Sequence, residues 1–185
     1  HARFGETLMT LSQGIARTDV ALSTIKSAHA LRLTRPTIVD AEAHQNVFEA
    51  IDLRHPLVEA REDHGVYVPN TIAFGTRNFL SQKESVLTSM TQEDVRGVLL
   101  YGINASGKSS LMKSIGVAIV LAQAGLFVPA TSFRYSIMHE LFTRILAKDN
   151  MKKGLSSFAV EMLELKTIFE RATAKSIVLA DEISH

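Results

Sequence analysis

The sequence predicts an α/β fold, a mostly parallel sheet with helices on its faces, preceded by one long helix. Three observations carry this. Beyond Arg96, apolar runs of strand length alternate with stretches of helical periodicity, the order expected of parallel strands joined by crossover helices. A glycine-rich turn at residues 102–109 separates the first such run from the first such helix. Ahead of Asp40, apolar residues recur at helical spacing with no strand pattern among them.

Length and composition set the bounds. The 185 residues suffice for one globular domain and a small extension. Hydrophobic residues make up 46% and charged residues 21%, as in ordinary globular proteins, so a packed core is expected and global disorder is not. The absence of cysteine excludes disulfides and Cys-based zinc sites. A formal net charge of +1 leaves no electrostatic footprint for gripping a phosphate backbone, so nucleic-acid contact is expected outside this chain. The longest apolar stretch, residues 115–130, is interrupted by Gly116, Gln123, Gly125 and Pro129 and falls short of the roughly 20 apolar residues of a membrane span. It reads as a buried helix followed by a strand. The chain opens at His1 with no methionine or signal pattern and closes just past an acidic pair, which predicts a piece of a longer protein.

From residue 6 to about 33, Leu8, Leu11, Ile15, Val20, Leu22, Ile25, Ala28 and Leu31 recur mostly at three- and four-residue steps, giving an amphipathic helix that Pro36 should stop. Short runs of valine, isoleucine and aromatics between 47 and 74, broken by His55-Pro56, Gly65 and Pro69-Asn70, predict strands joined by turns. Residues 75–96 are polar and read as a surface loop or loose hairpin. Then follow a strand at 98–101, a helix at about 108–124, a strand at 141–145, a helix at 156–172 and a strand at 177–180. The one expected domain boundary lies near Asp40, dividing the chain into 1–40 and 41–185. No solenoid-type repeat or low-complexity tract is present.

Gly102-Ile103-Asn104-Ala105-Ser106-Gly107-Lys108-Ser109 satisfies the phosphate-loop pattern G-x-x-x-x-G-K-S/T, after an apolar strand and before a helix. Glycines at its ends let the backbone amides converge on phosphate oxygens at a helix N-terminus. Lys108 reaches the terminal phosphates, and the Ser109 hydroxyl, beside Ser110, ligates Mg²⁺. The competing reading is an ordinary glycine-rich turn. Ser176-Ile177-Val178-Leu179-Ala180-Asp181-Glu182 weighs against it, being an apolar strand that ends in two carboxylates. One of these, Asp181, can hold Mg²⁺ through water, while the other, Glu182, can polarise an attacking water. Together the two motifs predict an ATP and Mg²⁺ site of the ATPase kind. The seven histidines are scattered without metal spacing, so no transition-metal site is expected and His55 reads as a structural or surface group.

Between these motifs, Gly154-Leu155-Ser156-Ser157-Phe158-Ala159-Val160-Glu161-Met162 resembles the signature segment of the MutS mismatch-repair ATPases. Further likenesses follow in chain order: Arg54-His55-Pro56-Leu57-Val58-Glu59 is similar to the family's R-H-P segment, Tyr67-Val68-Pro69-Asn70 to its aromatic-x-x-Asn, Val128-Pro129-Ala130 to its V-P-A, and Asp181-Glu182-Ile183 to its D-E-I. The resemblance covers essentially the whole chain, more weakly before Asp40, where Ala16 to Pro36 is similar to the helix leading from the all-α lever domain into the ATPase. It implies a phosphate-loop NTPase of ABC-like type.

That resemblance implies several roles. Tyr67 stacks on adenine, against the plainer reading of a half-buried strand tyrosine. Ser156 meets the nucleotide of a partner subunit, against simple N-capping of its helix by Ser156 or Ser157. Lys108 and Glu182 are the catalytic groups. Gly102 to Ser110 cradle the phosphates, and Ser109 and Asp181 hold Mg²⁺. The whole protein is expected to be a dimer of MutS-like subunits, homo- or heterodimeric, that binds mismatched double-stranded DNA through other domains. ATP would switch its state on DNA, in the cytoplasm or at the nucleoid, with mitochondrial and viral settings as alternatives. This chain stops before the family's D-loop and downstream catalytic histidine, so it is expected to bind nucleotide without efficient turnover. Family loops usually read T-G-P-N-M-G-G-K-S, whereas Tyr101, Ile103 and Ala105-Ser106 depart from that. The variant is similar to a divergent branch found in large DNA viruses, octocoral mitochondria and some marine bacteria. Competing classes are a paralogue acting on recombination or branched DNA, an ABC- or SMC-type ATPase, whose signature lies nearer its acidic strand, and a GTPase or kinase, for which the N-K-x-D is missing.

Overall fold

The computed structural model describes residues 2–40, 46–61, 66–75, 96–104, 106–144 and 157–181, the side chains of 2–4 and 157–161 excepted. Helix α1 runs over Ala2–Ala30. Its apolar stripe was legible, yet Leu8, Leu11, Ile15, Val20 and Ile25 are all about 60% exposed, so nothing among the described residues covers it. The helix ends before Pro36 is reached. Arg32 takes a left-handed φ of 49°, its N–H donates to the His29 carbonyl at 3.4 Å and the Leu33 N–H donates to Ala28 at 2.8 Å, the paired closure common at helix C-termini.

Strands β1 (Thr37–Ile38), β2 (Phe48–Leu53), β3 (Asn70–Phe74) and β4 (Ser132–Tyr135) form a sheet in the order β1-β4-β2-β3. Strands β5 (Glu140–Arg144) and β6 (Ser176–Ala180) form a second pair. Short helices and long ones intervene: α2 (Pro56–Glu59), α3 (Lys108–Gln123) and α4 (Ser157–Arg171). The expectation of a mostly parallel sheet needs correction. β1–β4 and β5–β6 are parallel, but β2 pairs antiparallel with both β3 and β4. Both neighbours of β2 run opposite to it, a pairing that does without the crossover parallel neighbours require. β1 joins the sheet on the N-terminal side of Asp40.

Residues 98–101, expected as a strand, form no ladder among the described residues. The two-residue alternation survives: Val98 and Leu100 are half-buried while Leu99 and Tyr101 are 86% and 91% exposed. Alternation dictates which side chains face inward. It does not bring a neighbouring strand edge within hydrogen-bond reach. The strand expected at the end of 115–130 also shifts. Gly125, with a φ of 77°, closes α3, Val128 to Ala130 run as a buried connection bridged to Thr34, and β4 starts at Ser132.

The core lies between α3 and the strands. Ile115, Ala118, Ile119 and Ala122 of α3 pack with Phe48, Ala50, Phe133, Ile177 and Leu179. Gly116 sets the spacing, because a Cβ there would stand 3.2 Å from Leu179 Cδ1 and 4.0 Å from Leu141 Cδ2. The Tyr135 hydroxyl donates to the Ala122 carbonyl at 3.0 Å, and burial raises its pKa. These contacts hold α3 in place, and α3 begins at the phosphate-loop lysine.

Candidate functional site

The start of α3 leaves its first amides without a side-chain cap. Its N-cap is Gly107 at φ 93°, a left-handed conformation that suits glycine. Amides at such an end point outward and the helix dipole adds positive potential. Lys108 folds back over the loop, its ammonium donating to the carbonyls of Gly102 at 2.8 Å and Ile103 at 2.9 Å. The Ser106 N–H donates to Ile103 O at 3.3 Å and tightens the turn, while Asn104 and Ser106 stand exposed. The loop thus satisfies its own cation through bonds that are already charge-assisted.

The next residue makes the long-range connection. Ser109 Oγ donates to Asp181 Oδ2 at 2.5 Å across 72 positions of sequence. Asp181 is held at the end of β6, where its N–H continues the ladder by donating to the Arg144 carbonyl at 2.7 Å. A hydroxyl and a carboxylate are the hard oxygen donors that Mg²⁺ takes, with water and phosphate oxygens completing an octahedron. Among the described residues no cluster of three or more His, Cys, Asp or Glu forms a rival metal site. Ser110 is half-buried, and its carbonyl accepts from the Ser114 hydroxyl at 2.8 Å.

Lys108 and Asp181 also border a cavity of about 800 Å³, walled by Phe74, Leu100, Met112 and Ile177. Asn46, to which the sequence drew no attention, stands in its wall and ties two segments together, its Nδ2 donating to the Ser176 carbonyl at 2.9 Å. Tyr67 is half-buried ahead of β3 and does not line this cavity. Ala105, Ser156 and Glu182 lie outside the described residues. The structure therefore gathers Gly102, Ile103, Lys108, Ser109 and Asp181.

His55, read from sequence as structural or surface, is buried and structural. It is the N-cap of α2, its Nδ1 accepting from the Val58 N–H at 3.4 Å. Burial lowers its pKa first, the charge of Lys113 lowers it further, and a backbone hydrogen bond opposes them. A histidine whose folded pKa is depressed adds stability that is complete above its unfolded value near 6.5 and lost as pH falls through that value toward the folded one. Unfolding free energy should therefore drop as pH falls through about 6.5. In His55→Asn, which keeps a capping acceptor, that part of the slope should vanish; denaturant melts with an unchanged slope would show that another group is responsible.

Comparison with known proteins agrees with the geometry. The family model for MutS domain V matches residues 98–185. The chain is 37% identical over 180 residues to the DNA mismatch repair protein MutS of Trichodesmium erythraeum, covering 97% of this chain and 19% of that protein. It is 36% identical over 184 residues to the mitochondrial DNA mismatch repair protein mutS homolog of Sarcophyton glaucum, covering 98% of this chain and 17% of that one. A mutS homolog of Acanthamoeba polyphaga mimivirus is 34% identical over 194 residues, with 95% and 17% covered. The chain thus spans less than a fifth of the length of these relatives. No helix among the described residues is long and apolar enough to cross a membrane. With its phosphate-loop residues inside the matched domain and likeness to MutS proteins along nearly all of its length, the chain belongs to the MutS family.

Proposed function

We propose that this chain is the nucleotide-binding unit of a MutS-type mismatch-repair ATPase, taking ATP with Mg²⁺ between the loop at 102–109 and the end of β6. The observation that carries the reading is the Ser109–Asp181 contact at 2.5 Å, beside Lys108 at an uncapped helix start. In this reading Lys108 leaves the carbonyls of Gly102 and Ile103 for the terminal phosphates, and the loop amides with Ser110 cradle the rest. Ser109 and Asp181 hold Mg²⁺, which supplies charge neutralisation on the phosphates when bound. Glu182, next in sequence, orients the water that attacks the terminal phosphorus, giving ADP and phosphate. Tyr67 stacks on the adenine, and Ser156 serves the site of a second MutS-like subunit, so the complete site is dimeric. Recognition of mismatched DNA belongs to other domains of such a protein, and ATP biases its states on DNA. Matches to an octocoral mitochondrial and a viral homologue support the likeness of the loop variant to that divergent branch.

The test is magnesium-dependent binding of a fluorescent ATP analogue by the 185-residue chain, with Asp181→Asn alongside. Binding should need Mg²⁺ in the parent and lose most of that dependence in Asp181→Asn. Binding that ignores both magnesium and the substitution defeats the proposed metal role. Turnover should be slow in this chain alone and efficient in the full-length dimer, where Glu182→Ala removes it; brisk hydrolysis by the chain alone would sink the dimeric site.

A further inference from the structure

Arg54 is a buried arginine, 8% exposed, for which the nucleotide site has no use. Its guanidinium donates to Glu59 Oε2 at 2.6 Å, to the Leu31 carbonyl at 3.2 Å and to the Arg32 carbonyl. The last two acceptors stand just beyond the C-terminus of α1, where helix carbonyls lack intrahelical partners and the dipole is negative. Glu59 completes the arrangement, its Oε1 accepting from Arg32 at 2.8 Å, so one carboxylate is gripped by an arginine from each side of the junction. The backbone of Arg54 is fixed in turn, its N–H donating to the Pro129 carbonyl at 2.8 Å. His55 follows directly and lies within the electrostatic reach of Lys113 on α3.

Among the described residues the exposed length of α1 shows no comparable grip on the sheet. From Glu6 to Ile25 only Thr24 is even half-buried, so the direction of the helix is decided at its C-terminal end. There the connection is stitched by the Thr34–Val128 bridge and by β1, and Arg54 takes the exposed carbonyls of the turn itself. A planar guanidinium with five donors in a fixed fork can hold a carboxylate and two carbonyls at once, in a geometry set by the plane of the group.

We infer that Arg54, locked by Glu59, is the positioning residue that fixes the direction of α1 to the sheet, so that the long helix and the phosphate-loop helix α3 move as one body. The inference stands on the junction alone and does not depend on what α3 binds.

Absence of cysteine makes the test clean, since two introduced cysteines are the only labelling sites. Spin labels at Gln13 on α1 and Val120 on α3, both exposed, report the angle between the helices; labels at Val120 and Thr143 on β5 report the body itself. The parent chain should give one narrow distance distribution for each pair. In Arg54→Met the α1–α3 distribution should at least double in width while the α3–β5 distribution stays as it was. Glu59→Gln, which leaves Arg54 its two carbonyls, should widen the α1–α3 distances by a smaller but measurable factor. Should Arg54→Met fail to fold, Glu59→Gln decides by the same criterion. Unchanged α1–α3 widths overturn the inference, and so does equal widening of both pairs, which would make Arg54 a general packing residue.

Discussion

Lys108→Ala should leave the fold standing and weaken ATP binding by at least about a hundredfold, the largest functional effect expected of any single change here. The side chain lies outside the buried core: among the described residues its ammonium donates to the carbonyls of Gly102 and Ile103, both exposed to solvent. Changes of that kind usually stay within about 0.5 kcal/mol of the parent in stability. Binding is another matter. Two hydrogen bonds between an ammonium and phosphate oxygens are worth about 1.5–3 kcal/mol each, so losing both costs on the order of 10²–10⁴ in affinity. Lys108→Arg should rescue little, because a planar fork does not reproduce a compact point charge aimed from the same Cα. Titration with a fluorescent ATP analogue at fixed magnesium, beside thermal melts of parent and variant, reads both halves. A Lys108→Ala affinity within threefold of the parent would remove the phosphate role from this loop; a melt far below the parent would mean that the lysine serves the fold.

The reach of sequence reasoning differs from residue to residue for physical reasons. The start of α3 was legible because Gly107-Lys108-Ser109 states a local conformation and a chemistry together, and the helix begins at Lys108 as the motif requires. The meeting of Ser109 with Asp181 was legible only through chemistry: nothing in the residues between them encodes a distance, yet a shared cation demands one. Strands β1 and β4, with two and four residues, are too short to display alternation, and β4 carries Arg134, whose partner is the buried Glu49 at 2.7 Å. That pairing is invisible until the strands lie side by side. Residues 98–101 show the reverse case, a clear strand pattern without a partnered edge among the described residues. Arg54 is the fullest example of what spacing hides. The separation of Arg54 from Glu59 suggests a local ion pair, but two of its three acceptors are backbone carbonyls more than twenty positions earlier, and carbonyls leave no mark in a sequence.

Phe48→Ala should cost the fold more than any other truncation in the core. The residue is wholly buried, and its ring stacks on Phe74 with centroids 4.7 Å apart and planes 7° from parallel. It meets Phe133 edge-on at 5.1 Å and 88°. Those partners belong to β3 and β4, the two strands that flank β2, so this one ring joins three strands on a single face of the sheet. Removing a buried phenylalanine costs about 3–5 kcal/mol through lost transfer energy and the cavity left behind. Each aromatic pair adds about 0.5–1.5 kcal/mol beyond its buried area. Against a total stability of about 5–15 kcal/mol, the variant should melt roughly 10 °C or more below the parent. The loss should also reach the proposed nucleotide site. Tyr135 of β4 holds the C-terminal end of α3 through the Ala122 carbonyl, and Phe133 on the same strand loses its neighbour. Phe48→Leu, which refills most of the space but restores no ring contact, should recover about half of the deficit. If thermal melts place Phe48→Ala within 2 °C of the parent, the three-strand cluster is not what stabilises the sheet, and the packing of α3 on Ile177 and Leu179 must carry the fold instead.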